Sequence, residues 1–408
     1  MISRRTASTG AAIPGQAVLL AFATFAFISA TNILTPLLPA VRDDFGVSIA
    51  TAGFIVGSFG MARLIVDLPA GFLAERVGHR RLSVIAIVML VGSSLVGWLA
   101  GDVEALIAAR IGSGAAVGIL ATVALTALAA TASNATRGRV MSLFHVANNV
   151  GIATYPLVGG LVGTVAGWRS TFLISAVLAV IAGAILLALL PRIDFSHAGN
   201  RGGRDDETRI LRGRPRAIAF AATNLGVVAN MIHRHGVRNT ILPLYAASAL
   251  GLGGVSIATA IALMATTGLI VATPGGMLGD RIGRRRVIVA GLTAIAAGDL
   301  AFLLTHDLAS FLIVAAVIGL GDFFTSSQTA LLSEIVPASQ RTRALSTYRF
   351  SADLGAMIGP IILAATMDAL SAEAAIVLAA LILGTAAVVA HVFVPARVDA
   401  TSPVPATI

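Results

Sequence analysis

The sequence predicts an all-α membrane protein with twelve transmembrane helices arranged as two pseudo-symmetric six-helix bundles. Three observations carry that prediction. Of 408 residues, 57% are apolar and only 12% charged, against roughly a quarter charged in an ordinary soluble protein. The apolar residues fall into twelve runs of about 20, the length needed to cross a hydrocarbon core of about 30 Å at about 1.5 Å per residue. The two halves of the chain also match each other in sequence.

In chain order, the first six predicted spans run near Ala17 to Ala40, Thr51 to Leu73, Leu82 to Ala100, Ala105 to Ala130, Val140 to Val165 and Ser170 to Leu190. The second six run near Ala217 to Leu244, Val255 to Leu278, Val287 to Leu304, Ser310 to Leu332, Ala344 to Met367 and Ala374 to Val394. Between the two sets lies Pro191 to Arg216, with Arg201, Arg204, Asp205, Asp206 and Glu207. This stretch is too polar to pack. It divides the chain into an N-terminal bundle (1–190), a linker (191–216) and a C-terminal bundle with a short tail (217–408).

All 28 basic residues are arginine, there is no cysteine, and the net charge is +9. Without lysine there is no Walker A loop, retinal linkage or pyridoxal Schiff base. Without cysteine there is no disulfide, thiolate nucleophile, iron–sulfur cluster or Cys-based zinc site. The pI near 11.4 does not indicate a nucleic-acid partner, because the arginines occupy short gaps between apolar runs. About 21 of them fall in the two tails, the linker and every second loop, while Arg42 and Arg169 mark the alternate loops; the positive-inside rule then places both termini and the linker in the cytoplasm. The expected location is the inner (plasma) membrane, with the lipid bilayer as the surrounding partner. Arg4-Arg5 is not read as an export signal, since no small-residue cleavage site follows the long first run.

The internal match has an offset of about 204. Gly71-Phe-Leu-Ala-Glu75-Arg76-Val-Gly78-His-Arg80-Arg81 follows the second span, and Gly276-Met-Leu-Gly-Asp280-Arg281-Ile-Gly283-Arg284-Arg285-Arg286 follows the eighth. Arg137, Arg139, Gly151 and Pro156 likewise match Arg341, Arg343, Gly355 and Pro360. A parallel duplication of a six-helix unit is an architecture suited to alternating access. In each loop the glycines permit close backbone approach and a tight turn, and the acid accepts from neighbouring arginines. Gly71, Glu75, Arg76, Gly78 and Arg80, with Gly276, Asp280, Arg281, Gly283 and Arg284, are therefore read as a cytoplasmic latch. Gly151, Pro156, Gly159 and Gly160 form a helix-packing motif in the fifth span.

On these residues the chain resembles the major facilitator superfamily over nearly its whole length. Arg110-Ile-Gly112-Ser-Gly114 is similar to that family's fourth-span motif. Gly151-Ile-Ala-Thr-Tyr155-Pro156-Leu-Val-Gly159-Gly160 resembles the fifth-span motif of its drug:proton antiporters, with Tyr155 replacing a glycine. The resemblance implies a central cavity lined by the first, fourth, seventh and tenth spans, and a proton-relay role for Arg110. It also implies a small-molecule substrate, coupling to protons and function as a monomer.

Ionisable residues inside spans cost roughly 2.5 to 3.5 kcal/mol each on insertion scales and so mark function. Asp322 lies near the middle of the tenth span with no arginine within one turn; it is the leading proton-coupling residue, ahead of Asp67, Asp353 and Arg110. Arg63 with Asp67, and Arg349 with Asp353, stand at i, i+4 and are expected to pair within their own helices. Asp299, in the ninth span, is expected outside the cavity. Asn32, Asn224, Asn230, Arg234, Asp322 and Gln328 are the substrate-cavity candidates. His233 and His235 are two apart, which prevents convergence on one metal.

No enzymatic constellation, cofactor motif or metal cluster is visible. The expected function is proton-coupled efflux of an apolar or amphipathic compound. The alternatives are proton symport of a sugar, organic acid or other metabolite, and a non-transporting receptor of the same fold. An anion site built from Arg110 or Arg234 would favour an anionic cargo.

Overall fold

A computed structural model describes residues 13–133, 136–193, 195, 213–337 and 340–396. Most of the expected linker, and both chain ends, lie outside them. Twelve helical rods follow in order: α1 (Gly15–Phe45), α2 (Ile49–Val77), α3 (His79–Leu99), α4 (Val103–Thr131), α5 (Arg137–Ala166), α6 (Ser170–Leu189), α7 (213–250), α8 (Gly254–Ile282), α9 (Arg284–Ala301), α10 (308–335), α11 (Arg341–Ala369) and α12 (Ala372–Phe393). Eleven of them are long and apolar enough to cross a bilayer. The exception is α7, whose length is sufficient but whose middle is polar.

The ends of the rods follow from local chemistry. At one end of the molecule, Ser48, Asp102, Asp307 and Ser371 cap α2, α4, α10 and α12 by accepting the backbone N–H three residues on. Ser310 donates back to Asp307 and holds that exposed carboxyl below the usual carboxylate range. At the opposite end, single glycines with positive φ, Gly78 (90°) and Gly283 (97°), join α2 to α3 and α8 to α9. A side chain there would be strained, so both copies of the repeat keep glycine. Arg169, at the capped end, is neutralised by Asp44 at 2.6 Å.

Three rods are interrupted. α1 passes through a 3-10 turn at Thr35–Leu37, where Pro36 removes a donor. α7 runs as α-helix over Gly213–Met231, as π-helix over Ile232–Ile241, and as α-helix again over Leu242–Leu250. α10 tightens into a 3-10 turn at Asp322–Phe324. Ten residues of π-helix are rare, and such segments concentrate at functional sites. Interrupted helices free backbone polar groups, which inside a membrane must be met within the protein.

The duplication is visible in the packing. A Cβ on Gly114 of α4 would strike the backbone of Phe59 on α2; in the other half a Cβ on Gly319 of α10 would strike the backbone of Met264 on α8. The two contacts are one helix crossing repeated at an offset of 205. Gly114→Val and Gly319→Val should each cost stability at or above the 1 to 3 kcal/mol typical of overpacking. Gly92→Val, whose added side chain meets open space, should leave the midpoint of thermal unfolding unchanged; equal losses for all three would contradict the packing.

The halves meet along two seams, α2 against α11 and α5 against α8. Gly53, Gly57 and Gly60 admit the α11 backbone near Pro360 and Met357, and Gly160 admits Gly254 and Ala258. The backbone N–H of Ile49 donates to Asp368 at 3.2 Å. Leu38 and Ala52 of the first half are even part of the apolar core of the second. All of this lies in the capped half of the molecule. Among the described residues, the ion pairs and hydrogen bonds that join the halves run from the capped end as far as Arg63, Asp67 and Asp353, near the middle of α2, so the molecule is sealed at its capped end and parts toward the glycine turns.

Candidate functional site

At the inner edge of the α2–α11 seam, Arg63 holds two carboxylates. Its Nε lies 3.6 Å from Asp67 on its own helix and 3.2 Å from Asp353 on α11. The expected pairing of Arg349 with Asp353 does not form: Asp353 is drawn to an arginine of the other half, and Arg349 stays within electrostatic range of Asp67 and Asp353 without reaching ion-pair distance. Helical spacing made the i, i+4 pair available, and a partner on another helix displaced it. The Arg63 side chain is 31% exposed, which fits a seam that ends there.

The second cluster is built by the π-helix of α7. Widening the helix distributes its polar side chains around the axis, and each finds a different neighbour. Arg234 donates through Nη2 to Asp322 on α10 at 2.7 Å. Asp322, without an arginine on its own helix, is therefore paired across helices; its other oxygen, Oδ1, has no partner among the described residues. Gly268 of α8 lies against the same carboxyl, and a Cβ there would sit 3.2 Å from it. One residue before Arg234, His233 places Nδ1 3.0 Å from Asp299 on α9, with both side chains buried. The contact joins the π-helical stretch of α7 to α9 through two fully buried side chains. His235 points the other way, within electrostatic reach of Arg63, Arg110, Arg234 and Arg238.

The third cluster sits at the break in α1. Arg110, on α4, donates through Nη1 to the carbonyl of Ala30 at 2.8 Å and lies over the Phe59 ring at 4.6 Å. Asn239 of α7 reaches Asn32 of α1 at 3.5 Å and accepts from Arg238 Nε at 3.4 Å. Asn32 is thus a bridge between the halves, and its own Nδ2 has no partner among the described residues.

The remaining cavity candidates are placed elsewhere. Asn224 donates to the Phe220 carbonyl of its own helix and accepts from Ser351 of α11. Asn230 and Gln328 are fully buried inside the C-terminal half, Gln328 against Gly226. The amide atoms of Asn230 and Gln328 are buried without a hydrogen-bond partner among the described residues. Arg238, Asn239 and the His233–Asp299 pair are the residues that sequence reasoning underweighted. The one available signal was the density of polar residues between Ile232 and Thr240.

The loop motifs act within one half in this conformation. Arg284 joins Asp280 (2.6 Å) to Glu334 of α10 (2.9 Å), and Arg285 donates to the carbonyls of His391 and Val394 at the end of α12. Glu75, Arg76, Arg80 and Arg281 form no ion pair among the described residues; Arg76 lies over Phe72, and His79 stacks on Phe195. Gly71 faces open space and Gly276 faces Ser326, so close backbone approach is not what Gly71 provides here. In α5, which continues through Pro156, Gly151 faces Ile28, Gly159 faces the Ile33 backbone at the break in α1, and Gly160 faces α8.

The assembled features are two bundles, a one-ended seam, three broken helices and charge concentrated at their breaks. They are the features of a membrane transporter. A family model of the Major Facilitator Superfamily matches residues 20–271 and 235–407, and the chain belongs to that family. It is 32% identical over 235 residues to a cephamycin export protein of Amycolatopsis lactamdurans; the match covers 57% of this chain and 46% of that protein, so the chain aligns with about half the length of this curated relative. Among solved structures, it is similar to a D-xylose–proton symporter (TM-score 0.76, 17% identity, 95% of this chain and 99% of that one). It is also similar to a bacterial homologue of the human lysosomal transporter Spinster, inward-facing and occupied (0.75, 17%, 95% and 98%). At that identity the likeness is one of fold.

Proposed function

We propose that this transporter exports a small amphipathic compound across the inner membrane in exchange for protons, by alternating access of one central site. The observation that carries the reading is the Arg234–Asp322 pair. It is a carboxylate buried at the break of α10, held by a single arginine at the break of α7. Ionised, Asp322 fixes Arg234; protonated, it releases it. A proton that enters from outside and leaves to the cytoplasm thereby changes the contacts between two rods that line the site. At about 2.3 kcal/mol per charge per 100 mV, one proton supports a cargo gradient of roughly fifty-fold. The export direction is supported by what the relative from Amycolatopsis lactamdurans is named for.

The arginine bias supports cytoplasmic termini, with bundles 1–190 and 217–408 joined by a cytoplasmic linker 191–216 and the protein acting as a monomer. The conformation parted toward the glycine turns is then the cytoplasm-facing one. Reporter fusions at Arg204 and after Ile408 should both report cytoplasm, and a periplasmic signal from either would overturn the orientation. Function is tested in proteoliposomes with an imposed pH gradient and an internal pH dye. Addition of a transported compound should release protons on the side opposite to its accumulation. Accumulation without proton movement would refute exchange.

A further inference from the structure

We infer that the exported compound carries an oxyanion, a carboxylate or its like, seated between Arg110 and Arg238 at the break in α1; this deepens the export reading and rests on the central site being the cargo site. Arg63 holds Asp67 and Asp353, and Arg234 holds Asp322. Among the described residues Arg110 and Arg238 hold none, although they are only 4% and 5% exposed. Each inserts mid-bundle, at a cost of roughly 2.5 to 3.5 kcal/mol on insertion scales, and they come from opposite halves. A buried charge is ordinarily paired or neutralised; Asp322 is within electrostatic reach of Arg238 but spends its ion pair on Arg234.

The donors are also unspent. A guanidinium has five N–H groups. Arg110 uses one on the Ala30 carbonyl, and its Nε has no partner. Arg238 has one long contact, to Asn239. Beside them Asn32 keeps an unpartnered buried Nδ2. These groups converge on one stretch: Arg110 touches α1 at Ala30, and the side chain next to Arg238 touches it at Asn32. Both guanidiniums are within electrostatic reach of His235, together with Arg63 and Arg234. A concentration of fixed positive charge with free, forked donors on two sides is complementary to a planar oxyanion. The Phe59 face under Arg110 adds apolar surface beside the charge, which suits an amphipathic anion. Because one arginine belongs to each half, an anion there also joins the halves, and binding couples to their rocking.

The test uses two probes that differ only in charge, 2-naphthoate and 2-naphthamide, on the full-length protein. Naphthoate should raise the thermal midpoint and naphthamide should not. Arg110→Gln and Arg238→Gln should each weaken naphthoate binding about tenfold to a hundredfold, the range for a charge-assisted contact. Should either variant fold poorly, Asn32→Asp supplies a fixed carboxylate to the same donors. It should raise the midpoint of the ligand-free protein and abolish the naphthoate response. Equal shifts from the two probes, no shift from either, or an unchanged naphthoate response in Asn32→Asp would overturn the inference. Sodium sulfate and chloride are run alone: a sulfate shift as large as that of naphthoate, without naphthoate flux, would assign the site to a free inorganic anion and overturn it as well. Flux separates this inference from the export reading. Proton-linked movement of naphthamide alone would sink the anion site and leave exchange standing, whereas naphthoate movement indifferent to the pH gradient would sink exchange and leave the anion site.

Discussion

Asp322→Asn should abolish accumulation driven by a pH gradient while leaving passive exchange of cargo measurable. The amide keeps the shape of a protonated carboxyl but releases no proton, so the cycle loses its energy input. It also strands Arg234, whose 2.7 Å contact to Asp322 is its one ion pair among the described residues. Breaking a buried pair from one side costs about 3 to 5 kcal/mol; with 18% of the Arg234 side chain exposed, the lower end applies. A thermal midpoint reduced by several degrees is therefore expected, and it would by itself confuse coupling with folding. The double variant Arg234→Met, Asp322→Leu separates them. Replacing both partners with apolar groups of similar size is close to neutral for stability, so this protein should regain its midpoint and still fail to accumulate cargo. Full pH-driven accumulation by Asp322→Asn would show that the proton rides elsewhere, with Asp67 and Asp353 next in line.

The fold was more legible than the site for a physical reason. Spans, the repeat and the arginine bias are properties of short windows, and the bilayer imposes length and polarity on each window separately. The helix crossing at Gly114 and Gly319 and the turns at Gly78 and Gly283 follow from the same repeat. The site is made of pairings between windows. Arg234 and Asp322 are 88 residues apart, and nothing local to Asp322 indicates its partner. Local reasoning went wrong where it had a rule to apply: i, i+4 spacing assigned Asp353 to Arg349, whereas folding assigned it to Arg63. The polar density of α7 was visible, but a standard helical wheel could not distribute it correctly, because the segment is a π-helix. The loop motif was legible as chemistry, and its partner, Glu334, was not, since the corresponding position in the first half, Ala130, has no acid.

Arg63→Gln should open the sealed end. In the structure one guanidinium lies between two carboxylates, one from each half, at the point where the seam stops. Without it, no arginine of α2 holds Asp353 of α11, and the attraction that closed the seam at its edge is lost. A differential effect of about 3 kcal/mol between the two access states would change their ratio by more than a hundredfold, enough to invert a modest preference. The protein has no native cysteine, so a pair introduced at Ile49 and Asp368, which face each other across the seam, reports on the closeness of the two helices there. Cross-linking of this pair should fall sharply in the Arg63→Gln background. It should recover when Asp353→Asn is added, because the amide can donate to Asp67, the carboxyl that Asp353 meets across the seam. Recovery distinguishes electrostatic release from general damage to the helices, which a further substitution would not repair. Unchanged cross-linking in Arg63→Gln would mean that the glycine contacts alone hold the seam, and that the arginine at its edge has no part in which end of the transporter is open.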